Sequence, residues 1–135
     1  MADILILDHN RLARAILRTV LGGAGYSLVE TDNCEDGLDL VLLHQPRVVL
    51  VELQLPRLDG LTFAQRMRQL PFITQPDLIF MSDRVPGHMI DVGQRAILAK
   101  PLVTERLLAE MAVLLPASAA TQRVPAALRE RAVGE

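Results

Sequence analysis

Val48-Val49-Leu50-Val51-Glu52-Leu53-Gln54-Leu55-Pro56-Arg57-Leu58-Asp59-Gly60 decides the fold of this chain. A short aliphatic, β-branched run ends in one carboxylate. A proline follows four residues later, then Asp-Gly. The run has the length and composition of a fully buried strand. Glu52 then stands just past its C-terminal end, where open α/β sheets build their sites.

Similar runs lie on either side. Ile4-Leu5-Ile6-Leu7 is a first strand, ending in Asp8-His9-Asn10. Arg11 to Leu21 turns helical, with Leu12, Ile16 and Val20 stepping by four as its apolar stripe. Asn10 is placed as its N-cap, and Gly22, Gly23 and Gly25 as its stop. Tyr26 to Glu30 reads as a weaker second strand. Asn33 caps a second helix carrying Leu38, Val41 and Leu42, with Glu35 and Asp36 in its first turn. Leu61, Phe63, Ala64 and Met67 fit a third helix that ends before Pro71. Asp77 to Met81 is a fourth strand ending in Ser82-Asp83, and Ala96 to Ala99 a fifth ending in Lys100-Pro101. Thr104 to Leu115 closes the series as a helix with Leu107, Leu108, Met111 and Leu114 inward. Residues 84–93 contain Pro86 and Gly87 and leave room for only about two helical turns.

Strands alternating with helices predict a doubly wound, mostly parallel sheet covered on both faces. Right-handed crossovers and a 2-1-3-4-5 strand order bring the first and third strands together at the switch point. Asp8, Glu52, Ser82 and Lys100 then share one edge. Two carboxylates, a hydroxyl and an ammonium are the groups that bind a divalent cation together with an anion. Lys100 is the only lysine, against thirteen arginines. Its compact charge suits an oxyanion in a way that a planar guanidinium does not reproduce.

Composition narrows the classes. The chain has 135 residues, enough for one domain. Its 16 acids and 14 bases nearly cancel, so a nucleic acid or an anionic membrane is not an expected partner. Aromatic residues make up 3%, with no Trp, which disfavours base-stacking platforms and flavin pockets. The loop Asp8-His9-Asn10-Arg11 lacks the Ser, Thr and Gly of a phosphate cradle, so no FMN is expected. The single Cys34 allows no internal disulfide and fits a reducing, cytoplasmic setting. No signal peptide and no membrane span is read in the sequence.

In combination and order, Ile4-Leu5-Ile6-Leu7-Asp8, Pro46 to Glu52, Pro56, Asp59-Gly60, Ser82, Gly93 and Lys100-Pro101-Leu102 resemble the receiver domain of two-component response regulators. The resemblance covers about Asp3 to Leu115. It implies a flavodoxin-like (βα)5 three-layer sandwich and a signalling protein rather than an enzyme. It implies a phosphoacceptor at position 52, phosphate contacts from Ser82 and Lys100, and a cis bond before Pro101. It places Mg²⁺ on an acidic pair after the first strand, and a switch aromatic at position 97. Partners implied are a histidine kinase or a downstream effector, with a homodimer through the fifth-strand and fifth-helix face.

The departures are specific. Glu52 replaces the aspartate and carries its carboxylate roughly 1 Å further out, and phosphoryl transfer depends on positioning. His9 replaces the second carboxylate, leaving Asp8 and Glu52 as a weakened metal site with no cofactor expected. Ile97 replaces the aromatic. The family's fourth helix is short or missing. The expectation is an atypical receiver that works by protein–protein contact without conventional Asp phosphorylation. The alternative is a receiver phosphorylated inefficiently at Glu52, or at another site. Residues 1–116 are assigned to the receiver and 117–135 to a tail or the start of a linker. His44 is expected to sit at a helix C-terminus, His88 on the surface, Cys34 in the core and Asp59 as a helix cap. His9 has no second His or Cys at ligand spacing.

Overall fold

The computed structural model describes residues 2–55, 59–72, 74–84 and 90–115. Five strands form one parallel sheet: β1 (Ile4–Leu7), β2 (Leu28–Thr31), β3 (Val48–Glu52), β4 (Asp77–Ser82) and β5 (Ala96–Ala99). Their order is β2-β1-β3-β4-β5. Among the described residues four helices accompany them: α1 (Arg11–Gly23), α2 (Cys34–His44), α3 (Gly60–Met67) and α4 (Thr104–Leu114).

Alternation along the strands sorts the core into two layers. Leu5, Leu7, Val49, Val51, Leu78 and Phe80 point to one face and meet Val41 of α2 and Phe63, Ala64 and Met67 of α3. Ile4, Ile6, Val48, Leu50, Ile79 and Met81 point to the other and meet Leu17 and Leu21 of α1 and Leu107 and Met111 of α4. Both faces of β1 and β3 are sealed, which is why these strands read as continuous aliphatic runs rather than as alternating ones.

Three of the helices, α1, α2 and α3, are started by a capping side chain. Asn10 Oδ1 accepts from Ala13 N at 3.0 Å and Asn33 Oδ1 from Asp36 N at 2.8 Å. Each cap is worth about 1 kcal/mol. Asp59 Oδ1 accepts from Thr62 N at 2.8 Å, so Asp59 caps α3 as expected. Gly60 follows because a Cβ there would lie 2.3 Å from the Glu52 carbonyl oxygen. The Asp59-Gly60 pair therefore docks α3 directly on the end of β3.

Several expectations are corrected. Leu12 and Ile16 are 69% and 54% exposed, and α1 is anchored instead by Leu17 and Leu21. The Leu12-Ile16-Val20 row lies to one side of the face that meets the sheet. Gly22 and Gly23 stay helical, and the turn falls at Gly25, whose φ of 95° needs glycine. β2 starts two residues late because Ser27 is used in a reciprocal pair with Asp3: Asp3 N donates to Ser27 Oγ and Ser27 N to Asp3 Oδ2. Leu42 of α2 is 39% exposed.

Between β4 and β5 no helix occurs among the described residues. Arg68, at the end of α3, holds this connection. Its guanidinium donates to the carbonyls of Val92, Gly93 and Pro76 and to Gln75 Oε1. Arg95 N then donates to Leu78 O, which brings the chain into register for β5. The expectations for Pro56, His88 and residues 117–135 lie outside the described residues.

Candidate functional site

The register fixes the site. Leu7 pairs with Val51, so Asp8 and Glu52 are neighbours at the C-terminal edge. Ser82 pairs with Ala99, which puts Lys100 one residue beyond. Asp8, Glu52 and Ser82 are 0%, 1% and 2% exposed. The Lys100–Pro101 peptide bond is cis.

Lys100 Nζ donates to Asp8 Oδ2 at 2.7 Å and to Glu52 Oε1 at 3.2 Å. Glu52 Oε2 accepts from the His9 backbone N–H at 3.1 Å and meets His9 Nδ1 at 2.5 Å. Asp8 Oδ1 accepts from Asn10 N at 2.8 Å, and Arg14 Nη1 donates to the Asp8 carbonyl at 2.7 Å. Burial works against the charged form of Glu52. Hydrogen bonds from His9, then the hydrogen bond and charge of Lys100, outweigh it and hold the carboxyl below its ordinary range. Burial likewise disfavours the Lys100 ammonium, but Asp8 and then Glu52 raise it above the usual lysine value.

Ser82 belongs to a separate system. Its Oγ accepts from Gln54 Nε2 at 2.9 Å and from Arg84 N at 3.1 Å, and donates to the Arg84 carbonyl. Glu52 thus reaches Lys100 and His9 but makes no hydrogen bond to Ser82, although the sequence places all four on one edge. Ile97 lies half-buried on β5, opposite Phe80, against the α2–α3 side of the core. Cys34 is buried at the start of α2, and burial pushes its thiol up to about 11, so it is an inert core residue. His44 ends α2, where a cation suits the helix dipole.

Residues 4–112 match the response regulator receiver domain. The chain belongs to this receiver family. Among its relatives, Response regulator MprA of Mycolicibacterium vanbaalenii is 35% identical over 116 residues, covering 83% of this chain and 49% of the relative. Response regulator MprA of Mycobacterium tuberculosis is 34% identical, covering 83% of this chain and 50% of the relative. The chain spans about half the length of these curated relatives. A two-component response regulator from Clostridium difficile superposes with a TM-score of 0.77 at 24% identity, covering 85% and 96% of the two chains. A CheY-like receiver domain from Methylobacillus flagellatus gives 0.76 at 18%, covering 84% and 98%. Both share the flavodoxin-like fold; the family match itself makes this a receiver domain of two-component response regulators. Among the described residues no helix is long and apolar enough to cross a membrane.

Receivers of this kind imply Mg²⁺ beside the acceptor. The donor set here suits it poorly. All four oxygens of Asp8 and Glu52 already accept hydrogen bonds from within the chain. The third side chain facing them is an imidazole, not a carboxylate. Mg²⁺ asks for an octahedron of oxygens and gives up its waters reluctantly.

The residues that sequence reading missed are His9 as a partner of Glu52, Gln54 as the partner of Ser82, and Arg68. Only His9 carried a signal: it stands where the resemblance implies a second carboxylate.

Proposed function

We propose that this receiver signals through protein contacts in the cytoplasm, without phosphorylation at position 52 and without catalysing a reaction. One observation carries the reading. The Glu52 carboxylate is 1% exposed, with one oxygen on Lys100 and the other on His9. A phosphoacceptor must present a free oxygen in line with the incoming phosphorus, and transfer tolerates little misplacement. Glu52 offers no such oxygen. Its charge instead occupies the position from which a phosphoryl group would engage Lys100, and Ser82 is held by Gln54 rather than left to move toward an anion.

The chain therefore stands in one fixed state that partners read. Partner contact is assigned to the β5–α4 face, where Val103 and Val113 are exposed. A kinase, an effector or a second copy of this chain would meet it there. The receiver unit is taken as residues 1–116.

The test is incubation with acetyl phosphate and Mg²⁺, and separately with a phosphorylated histidine kinase, followed by intact mass. An unchanged mass is expected. A stable phosphoryl adduct mapped to Glu52 would overturn the proposal. An adduct mapped elsewhere would support the alternative of a receiver that uses a different acceptor.

A further inference from the structure

Beside the strand ends, α1 and the loop that follows β5 enclose a cavity of about 370 Å³. Its walls are Ala13, Ile16 and Leu17 of α1 and Pro101 and Leu102 of the loop. That volume falls within the range of small-molecule sites, and apolar walls with a few converging polar groups are their usual composition. Leu17 and Leu21 already anchor α1 on the sheet. Ile16 is left exposed at the rim of the cavity, with Leu12 exposed one turn before it. Large apolar side chains open to solvent beside a concavity are surface that an occupant covers with profit.

The polar side of the cavity selects by charge. Asp8 and Lys100 line it together, and Lys100 Nζ is held between Asp8 Oδ2 at 2.7 Å and Glu52 Oε1 at 3.2 Å. The ammonium is therefore matched within the chain. Asp83, which follows β4, is the remaining charged residue of the lining. It is exposed and has no ion pair among the described residues. Arg14 of α1 does not neutralise it, because its guanidinium serves the Asp8 carbonyl and Glu30. Asp8, Glu52 and Asp83 thus stand against the single ammonium of Lys100. An anion entering here adds to an existing excess of negative charge, whereas a cation reduces it.

We infer that this cavity binds a small primary amine with an apolar body, its ammonium on Asp83 and its hydrocarbon against Ile16, Pro101 and Leu102. The walls supply the affinity, since burial of apolar surface is the larger gain. Asp83 supplies the selection, since an exposed ion pair is weak alone but discriminates between ligands of equal shape. Lys100 keeps both of its carboxylate partners throughout. The inference stands whether or not Glu52 accepts a phosphoryl group.

The test titrates the full, isotope-labelled chain with phenethylamine, phenethyl alcohol and phenylpropanoate, which share a ring and a short chain and differ in charge. Amide shifts should saturate with the amine and be largest at Ala13, Ile16, Leu17, Asp83 and Leu102. For a fragment of this size the dissociation constant should be on the order of 1 mM. The alcohol should bind about two- to fivefold more weakly, and the carboxylate more weakly still. Asp83→Asn should bring the amine down to the level of the alcohol and leave the alcohol unchanged. Ala13→Leu fills the cavity and should abolish saturable binding of all three. Asp83→Asn alters an exposed side chain, so it decides the matter even where Ala13→Leu fails to fold. Equal binding of amine and carboxylate, an amine preference that survives Asp83→Asn, or binding that a folded Ala13→Leu retains would each overturn the site. Shifts that never saturate, or that centre on the exposed Leu42 and Leu43 of α2, would overturn it too.

Discussion

The strand-end edge divides into two halves that obey different physics. On the β1–β3 side, Asp8, His9, Glu52 and Lys100 form a network around two buried carboxylates, joined across sequence separations of 43, 48 and 92 residues. On the β4 side, Ser82, Gln54 and Arg84 form a neutral group linked mainly through a loop. Among the described residues a backbone bond links the two halves, Lys100 N to Ser82 O at 2.8 Å, but no side-chain hydrogen bond joins them. A receiver that binds a phosphoryl group needs the lysine and the hydroxyl on one anion. Here the lysine is committed to carboxylates and the hydroxyl to an amide. The added methylene of Glu52 explains the first commitment, because it carries the carboxylate out to the ammonium. Gln54 explains the second.

The charged half should be the more costly to disturb. Lys100→Met keeps much of the side-chain stem but leaves two buried carboxylates with no ammonium. Removing one partner of a buried pair costs about 3–5 kcal/mol. Urea denaturation of the variant should show a loss of that order at neutral pH. A loss under 1 kcal/mol would mean that the carboxylates are not charged together, and the contrast between the halves would fail.

On the same side of the sheet, Arg68 holds the chain just before β5. Its guanidinium serves three carbonyls and one side-chain amide. Hydrogen bonds to a charged donor are worth about 1.5–3 kcal/mol. Arg68→Ala should cost that much and speed amide exchange at Arg95, whose N–H bonds Leu78 O. Arg68→Lys should not restore it, because an ammonium cannot span the same fork. Unchanged exchange at Arg95 would detach Arg68 from the β5 register.

Of the two halves, only the charged one should contribute to the pH dependence of folding. The Glu52 carboxyl sits below its ordinary 4.5, so its stabilisation is complete above that value and is lost as pH falls through the lower folded value. The Lys100 ammonium sits above its ordinary 10.5, so its stabilisation is complete below that value and is lost as pH rises through the higher folded one. Chemical denaturation across pH should give a plateau with a fall on each side. Glu52→Gln should flatten the acid limb, whereas Ser82→Ala should leave both limbs in place.

The two halves also differ in how far they can be read from residues alone. Ile4–Leu7, Val48–Glu52 and Asp77–Ser82 declare themselves because strands buried on both faces must be aliphatic throughout. Once the strand order is known, the meeting of Asp8, Glu52 and Lys100 follows from register. The α1 face does not: an i, i+4 row of apolar residues at Leu12, Ile16 and Val20 looks inward by periodicity, yet the sheet takes Leu17 and Leu21. Periodicity gives the spacing of a stripe but not its angular phase, which tertiary packing sets. The Gln54–Ser82 and Arg68 contacts are side-chain rotamer choices across 28 and 24 residues, and no local pattern encodes them.

The smallest effect is the sharpest test of the division. If the halves are separate, a double-mutant cycle between Glu52→Gln and Ser82→Ala should show coupling no larger than about 0.5 kcal/mol, although the two residues end neighbouring strands. The Glu52–Lys100 pair, measured the same way, should couple by 1 kcal/mol or more. Ser82→Ala alone should cost about 1 kcal/mol, the worth of its bonds to Gln54 and Arg84. Coupling between Glu52 and Ser82 as large as that between Glu52 and Lys100 would show that the hydroxyl and the carboxylate share one anion pocket after all. Glu52 would then act on the β4 loop directly, and the fixed state proposed for this receiver would extend across the whole edge rather than end at Lys100.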